Sequence, residues 1–161
     1  MAVLTGACTL ATAQSPDDYH MYFTEAFARY GEAVEACESR RDARKPPSQE
    51  VISKVGQYEL QKARVFLIYN DFKRMQECSS DAAVEILVAA GSLRNKEESL
   101  LEETRLALES LEENLFIGTD LAFEMKYREL PEAMRNDLER LDYFQSPFQA
   151  YSVLDEIESQ P

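Results

Sequence analysis

Tryptophan is absent from this chain, histidine occurs once and glycine only five times. Each shortage removes a class of function. With His20 as the sole imidazole, a Ser-His or Cys-His catalytic pair would have to use a residue on the exposed first turn of a helix. A di-iron bundle needs inward Glu-x-x-His pairs on two helices, and one histidine cannot complete the set. The glycines at 6, 31, 56, 91 and 118 stand alone, so no Gly-rich loop cradles a phosphate. His20 beside Met21 matches axial haem ligands in residue type only, with no Cys-x-x-Cys-His attachment motif. No apolar run approaches the roughly 20 residues that span a bilayer. The expectation is a non-enzymatic protein that carries no cofactor and no metal.

Basic residues are also scarce, 17 Lys and Arg against 30 Asp and Glu, for a net charge of −13. Such a chain repels nucleic acid and anionic membrane surfaces, so neither is an expected partner. The charge is uneven. Residues 40–74 carry nine basic and four acidic side chains, whereas residues 96–161 carry six and seventeen. The basic segment is expected to face the protein's own acidic second half.

The first thirteen residues, MAVLTGACTLATA, are uncharged and mostly small or apolar, and they end in Ala11-Thr12-Ala13. That resembles an h-region followed by an A-x-A cleavage site, although no Lys or Arg supplies a basic n-region. Cys8 sits in LTGAC, a poor lipoprotein context because Thr5 stands where Leu or Val is usual. The expectation is a periplasmic or secreted protein, with residues 1–13 as a signal-like segment and 14–161 as one helical domain. Cleavage would remove Cys8 and leave Cys37 and Cys78, a pair that invites a disulfide in an oxidising compartment. Two straight helices joined by a tight Pro46-Pro47 turn would hold these thiols roughly 35 Å apart at 1.5 Å per residue. A bridge would therefore require the first helix to end near Ser39 and residues 40–47 to run extended; two separate buried thiols are the alternative.

What the chain does have is helical periodicity. The fold class expected is an all-α bundle of four to six helices built on a long helix around 96–130. There Leu101, Thr104, Leu108, Leu111, Leu115, Gly118, Ala122 and Met125 alternate at spacings of three and four, and Thr119 and Asp120 could cap a restart after Gly118. Ser15-Pro16-Asp17-Asp18 opens the first helix, and Tyr19, Phe23, Ala26, Tyr30, Ala33 and Cys37 share one of its faces. A second helix is expected from Ser48 to Cys78, ended by Ser79-Ser80-Asp81, and a short one from Ala82 to about Ala90, broken at Gly91 and Ser92. Pro131 begins a segment carrying Met134, Leu138, Leu141 and Phe144. Ser146-Pro147 is read as the start of a last helix with Phe148, Tyr151, Leu154 and Ile157.

The carboxylate pairs Glu98/Glu102, Glu109/Glu113 and Asp120/Glu124 lie off the seam and read as a solvated face. Binding is better supported than catalysis. Tyr19, Tyr22 and Tyr30 exceed what one narrow core face needs, and the helix with Phe148 and Tyr151 could dock on a partner. The partner expected is another protein, and homo-oligomerisation stays open. Export as an adaptor, inhibitor or chaperone-like module is the leading expectation; an intracellular subunit of a larger assembly is the alternative.

Overall fold

The periodicities become helices almost throughout. The computed structural model describes residues 15–117 and 121–159, and these form an all-α structure with no strand among them. Seven α-helices are described: α1 (Pro16–Asp42), α2 (Gln49–Val55), α3 (Leu60–Arg94), α4 (Glu102–Ile117), α5 (Leu121–Glu129), α6 (Glu132–Glu139) and α7 (Ala150–Glu158). Two 3-10 turns, Glu97–Ser99 and Asp142–Gln145, interrupt the connections.

The first helix starts as its sequence predicts. Ser15 accepts a hydrogen bond from the Asp18 N–H, the Asp18 carboxylate accepts from the Ser15 N–H, and Pro16 supplies the preset first turn. Phe23, Ala26 and Cys37 are buried, with Tyr19, Tyr30 and Ala33 half-buried on the same face. α1 lies antiparallel along the second half of α3. Cys37 meets Cys78, and eight residues back Arg29 forks onto Glu85, seven residues further along α3.

The longest helix is α3, 35 residues and about 52 Å, and not the segment around 96–130. The predicted stop at Ser79-Ser80-Asp81 fails because Ser79 is buried and returns its hydroxyl to the Met75 carbonyl, satisfying itself inside the helix. Ser92 does the same to Val88, and Gly91 passes through in ordinary helical geometry. The chain then breaks where continuous helix was expected. Ser99 turns both its N–H and its hydroxyl onto the Lys96 carbonyl, and α4 restarts with Glu102 and Glu103 at its positive end. Of the predicted seam, Thr104, Leu108 and Leu111 are buried and Leu101 is half-buried. Ala122 and Met125 are exposed, so α5 presents a different face and buries Tyr127 instead, followed by Leu130. The bend at Gly118, the caps Thr119 and Asp120, the Leu115 side chain and residues 1–13 lie outside what is described.

Ser48 does cap a helix, but α2 ends at Val55 and residues 56–59 turn before α3 begins. This is what resolves the cysteine geometry. α1 continues to Asp42 and the extended run covers residues 44–48, so neither end is where the sequence placed it. The excursion through α2 lets α3 start well beyond the end of α1 and run back past it. Cys37 and Cys78 thereby come to disulfide distance, with Cα atoms 6.0 Å apart.

The two halves of α3 serve two cores. Ala63, Phe66 and Leu67 pack with Val51, Ile52 and Val55 of α2, Tyr127, Leu130, Met134 and Leu138, and Phe144, Phe148, Val153 and Leu154. Ile86, Ala89, Ala90 and Leu93 pack with Phe23 and Ala26 of α1 and Leu108 and Leu111 of α4. Arg44 fastens the extended connection to the first core: it donates to the carbonyls of Asp142, Tyr143 and Pro147 and to the Ser146 hydroxyl, and lies 4.6 Å over the Tyr143 ring. Ser146 is thus occupied by Arg44 and does not start a helix; α7 begins at Ala150. Basic residues of the 40–74 segment do reach the acidic second half, as Lys54 to Asp137 and Arg64 to Glu158, each at 3.2 Å.

Two predictions follow from this arrangement. A bridge closing a loop of 41 residues restricts the unfolded chain by about 2–4 kcal/mol. The Cys37→Ser/Cys78→Ser variant should therefore melt roughly 5–15 °C lower, measured by calorimetry. The second concerns Asp71, whose carboxylate accepts from the Ala150 N–H at 3.2 Å and so supplies the end of α7 with an acceptor from α3. Burial pushes its pKa above the ordinary 3.8, against the pull of that hydrogen bond and of Arg41. A carboxyl that holds its proton more tightly when folded weakens the fold once ionised. That penalty is absent below the unfolded pKa and grows as pH rises through the folded one. Asp71→Asn keeps the acceptor and removes the charge, so its melting temperature should gain on wild type between about pH 3 and pH 7. Circular dichroism melts across that range check the sign.

Candidate functional site

Surface α-helices normally turn apolar side chains inward, so large apolar residues left outside carry information. On α1 the stripe through Tyr19, Phe23, Ala26 and Tyr30 points to the core, which places Met21 and Tyr22 off it. Both are exposed, Met21 at 58% and Tyr22 at 43%. Together with Asp18, Tyr19, Glu25 and Ser92 of α3 they line a shallow hollow of about 600 Å³ at the N-terminal end of α1.

The hollow is lined by both apolar and acidic side chains. Met21 offers a flexible, polarizable side chain and Tyr22 a rigid ring with a polar tip. Asp18 and Glu25 supply carboxylates, and the capping hydrogen bonds from Ser15 hold Asp18 below its usual pKa, keeping it ionised. Lys96 lies 5.3 Å from the centre of the Tyr19 ring. Nearby, Arg29 binds Glu85 through two bonds of 2.6 and 3.0 Å, which fixes α1 against α3 and holds the Glu85 carboxyl below its ordinary pKa.

The sequence-predicted binding residues divide. Tyr22 stands at the surface, whereas Tyr19 and Tyr30 are half-buried against the α1–α3–α4 core and contribute mainly packing. Phe148 is fully buried, with its ring 5.0 Å from that of Phe144 and 5.8 Å from that of Tyr143, and it is a core residue. Tyr151 on α7 is 70% exposed. Met21, not among the predicted binding residues, stands off the apolar stripe, as Tyr22 does. His20 is half-buried and joins α1 to α4: its Nδ1 lies 2.7 Å from the buried Thr104 hydroxyl and its Nε2 3.6 Å from Glu103.

Three members of the acidic pairs, Glu102, Glu109 and Glu124, take structural partners. Arg105 binds both Glu102 and Glu109 along α4, and Arg128 binds Glu124. Among the described residues no group of three or more His, Cys, Asp or Glu side chains converges as metal ligands would, and no helix is long and apolar enough to cross a membrane. Models of known protein families, curated proteins and solved structures all return no match to this chain.

Proposed function

We propose that this is a non-enzymatic helical binding protein, exported to the periplasm or secreted, that acts as an adaptor, inhibitor or chaperone-like module by seating a segment of another protein on the hollow beside Met21 and Tyr22. The observation that carries the reading is the pairing of exposed apolar side chains with two carboxylates at one end of α1. Met21 and Tyr22 belong to neither core and keep much of their surface in solvent; covered by a partner, they bury the kind of surface on which binding energy concentrates. The carboxylates of Asp18 and Glu25 favour a partner segment with apolar anchors and flanking Lys or Arg, in keeping with a chain of net charge −13.

The Cys37–Cys78 pair supports export over an intracellular subunit, because disulfides persist in oxidising compartments. A signal-like start supports the same compartment.

A photo-crosslinking amino acid at position 22, introduced in the native host, tests the binding reading. The expected result is a discrete adduct to another protein that is absent when the probe sits at exposed Glu35 and lost when Met21→Glu is added. An unchanged monomer band at both positions would discard the hollow as a binding site. An intact mass of the same material, without reductant, addresses the compartment. A chain beginning at Gln14 whose two cysteines resist alkylation supports export, and one retaining Met1 with free thiols sinks it.

A further inference from the structure

The extended connection after α1 carries Lys45-Pro46-Pro47, the sole Pro-Pro pair in the sequence. A residue before proline is pushed to extended backbone, and proline holds its own φ at about −65°. Lys45 and Pro46 therefore take polyproline II backbone, the region Ser48 also occupies at φ −71° and ψ 160°. Lys45 and Pro46 are exposed and Pro47 is half-buried, while Arg44 pins the stretch to the Asp142, Tyr143 and Pro147 carbonyls. Among the described residues Lys45 takes no ion-pair partner. Aromatic-lined grooves bind segments of this kind, whose order is fixed before binding.

We propose that the hollow beside Met21 and Tyr22 seats Lys45-Pro46-Pro47 of a second copy of the chain, head to tail. This rests on reading the hollow as a binding site and names the segment that fills it. Tyr22 supplies the open ring, since Lys96 already lies 5.3 Å over that of Tyr19. Asp18 keeps one carboxylate oxygen clear, because both Ser15 bonds to it end on Oδ2. Glu25 lies 3.8 Å from an Arg29 whose close bonds go to Glu85. With the proline rings on Tyr22 and Met21, the Lys45 ammonium meets those carboxylates. The segment cannot reach its own hollow: Tyr22 and Asp42 stand about 30 Å apart along α1, and Arg44 ties the connection to the first core. The contact therefore forms between copies. Hollow and connection are different surfaces at opposite ends of one helix, so a pair still offers one of each and association extends. Three residues cover far less than the roughly 800 Å² per partner of a standard interface, and a net charge of −13 on each copy opposes approach. The contact is a weak one. At about 0.15 M salt, charges more than roughly 8 Å apart are largely screened, which leaves the pairs in contact to act.

Sedimentation equilibrium of the oxidised full chain at about 0.15 M salt, up to the millimolar range, tests this without any other protein present. The weight-average mass should climb with concentration and not level at two chains. Met21→Lys in the hollow and Lys45→Ser/Pro46→Ser in the connection should each hold it at one chain, while circular dichroism shows unchanged helix content. An equimolar mixture of those two variants should associate again, because one intact hollow meets one intact connection, and should stop at two chains. A wild-type mass fixed at one chain overturns the proposal. So does a variant that associates as wild type does, or a mixture no heavier than its parts. The crosslinking probe at position 22 keeps this outcome apart from the binding reading. An adduct of twice the chain mass supports the proposal. An adduct to another protein, with the purified chain fixed at one copy, overturns it and leaves the hollow a binding site.

Discussion

The antiparallel register of α1 on α3 is the constraint on which the rest depends. Three unlike interactions set it at separate heights: the Cys37–Cys78 pair, the forked Arg29–Glu85 contact, and the packing of Phe23 and Ala26 on Ile86, Ala89 and Ala90. A slide of one residue rotates each helix by about 100° and would break all three at once. Exposed ion pairs are worth little singly. Here Arg29–Glu85 gains significance from geometry, because its two parallel bonds agree with a register that apolar packing and sulfur spacing already favour.

Because α1 covers only the second half of α3, the first half must find other cover. The proline-containing connection after Asp42 and the short α2 turn the chain aside, and α5, α6 and α7 return to close the gap. The connection would be an exposed strap without Arg44, whose guanidinium gathers the carbonyls of Asp142, Tyr143 and Pro147 that no helix satisfies. Asp71 performs the complementary task at the start of α7, at the cost of holding a carboxylate in a half-buried position. An arginine for orphan carbonyls and an aspartate for an orphan N–H are the two polar joints of the first core.

Much of this was legible in the sequence. Helix class, the Ser15 cap, the buried stripe of α1 and the Met134–Leu138 face follow from local spacing and capping chemistry, which do not depend on distant residues. The cysteine pair was legible as a question, since its answer hung on the path of residues 40–59. The longest helix was misplaced because Ser79, Ser92 and Gly91 look like breakers one at a time. Only burial of Ser79, and its bond to the Met75 carbonyl, show them to be helical. The helix expected over 96–130 was overextended for the opposite reason: its spacing gives no sign of the break before Glu102, where Ser99 turns onto the Lys96 carbonyl, or of the face of α5 that leaves Ala122 and Met125 exposed. On the surface, the exposure of Tyr22 agrees with its excess over a narrow core, whereas Phe148 lies inside the core, since an amphipathic pattern does not distinguish a side chain turned to the core from one turned to a partner.

The division of α3 between two cores also bears on the order in which the chain acquires its structure. The core beneath α1 draws on residues from Phe23 to Leu111. The other joins Val51 to Leu154 and cannot close until the last helix has been made. As the polypeptide leaves the ribosome, α1, the second half of α3 and α4 can therefore condense while α5, α6 and α7 are still to come. Throughout that interval Val51, Val55, Phe66 and Leu67 stand uncovered, the stretch of nascent chain most in need of protection from its neighbours.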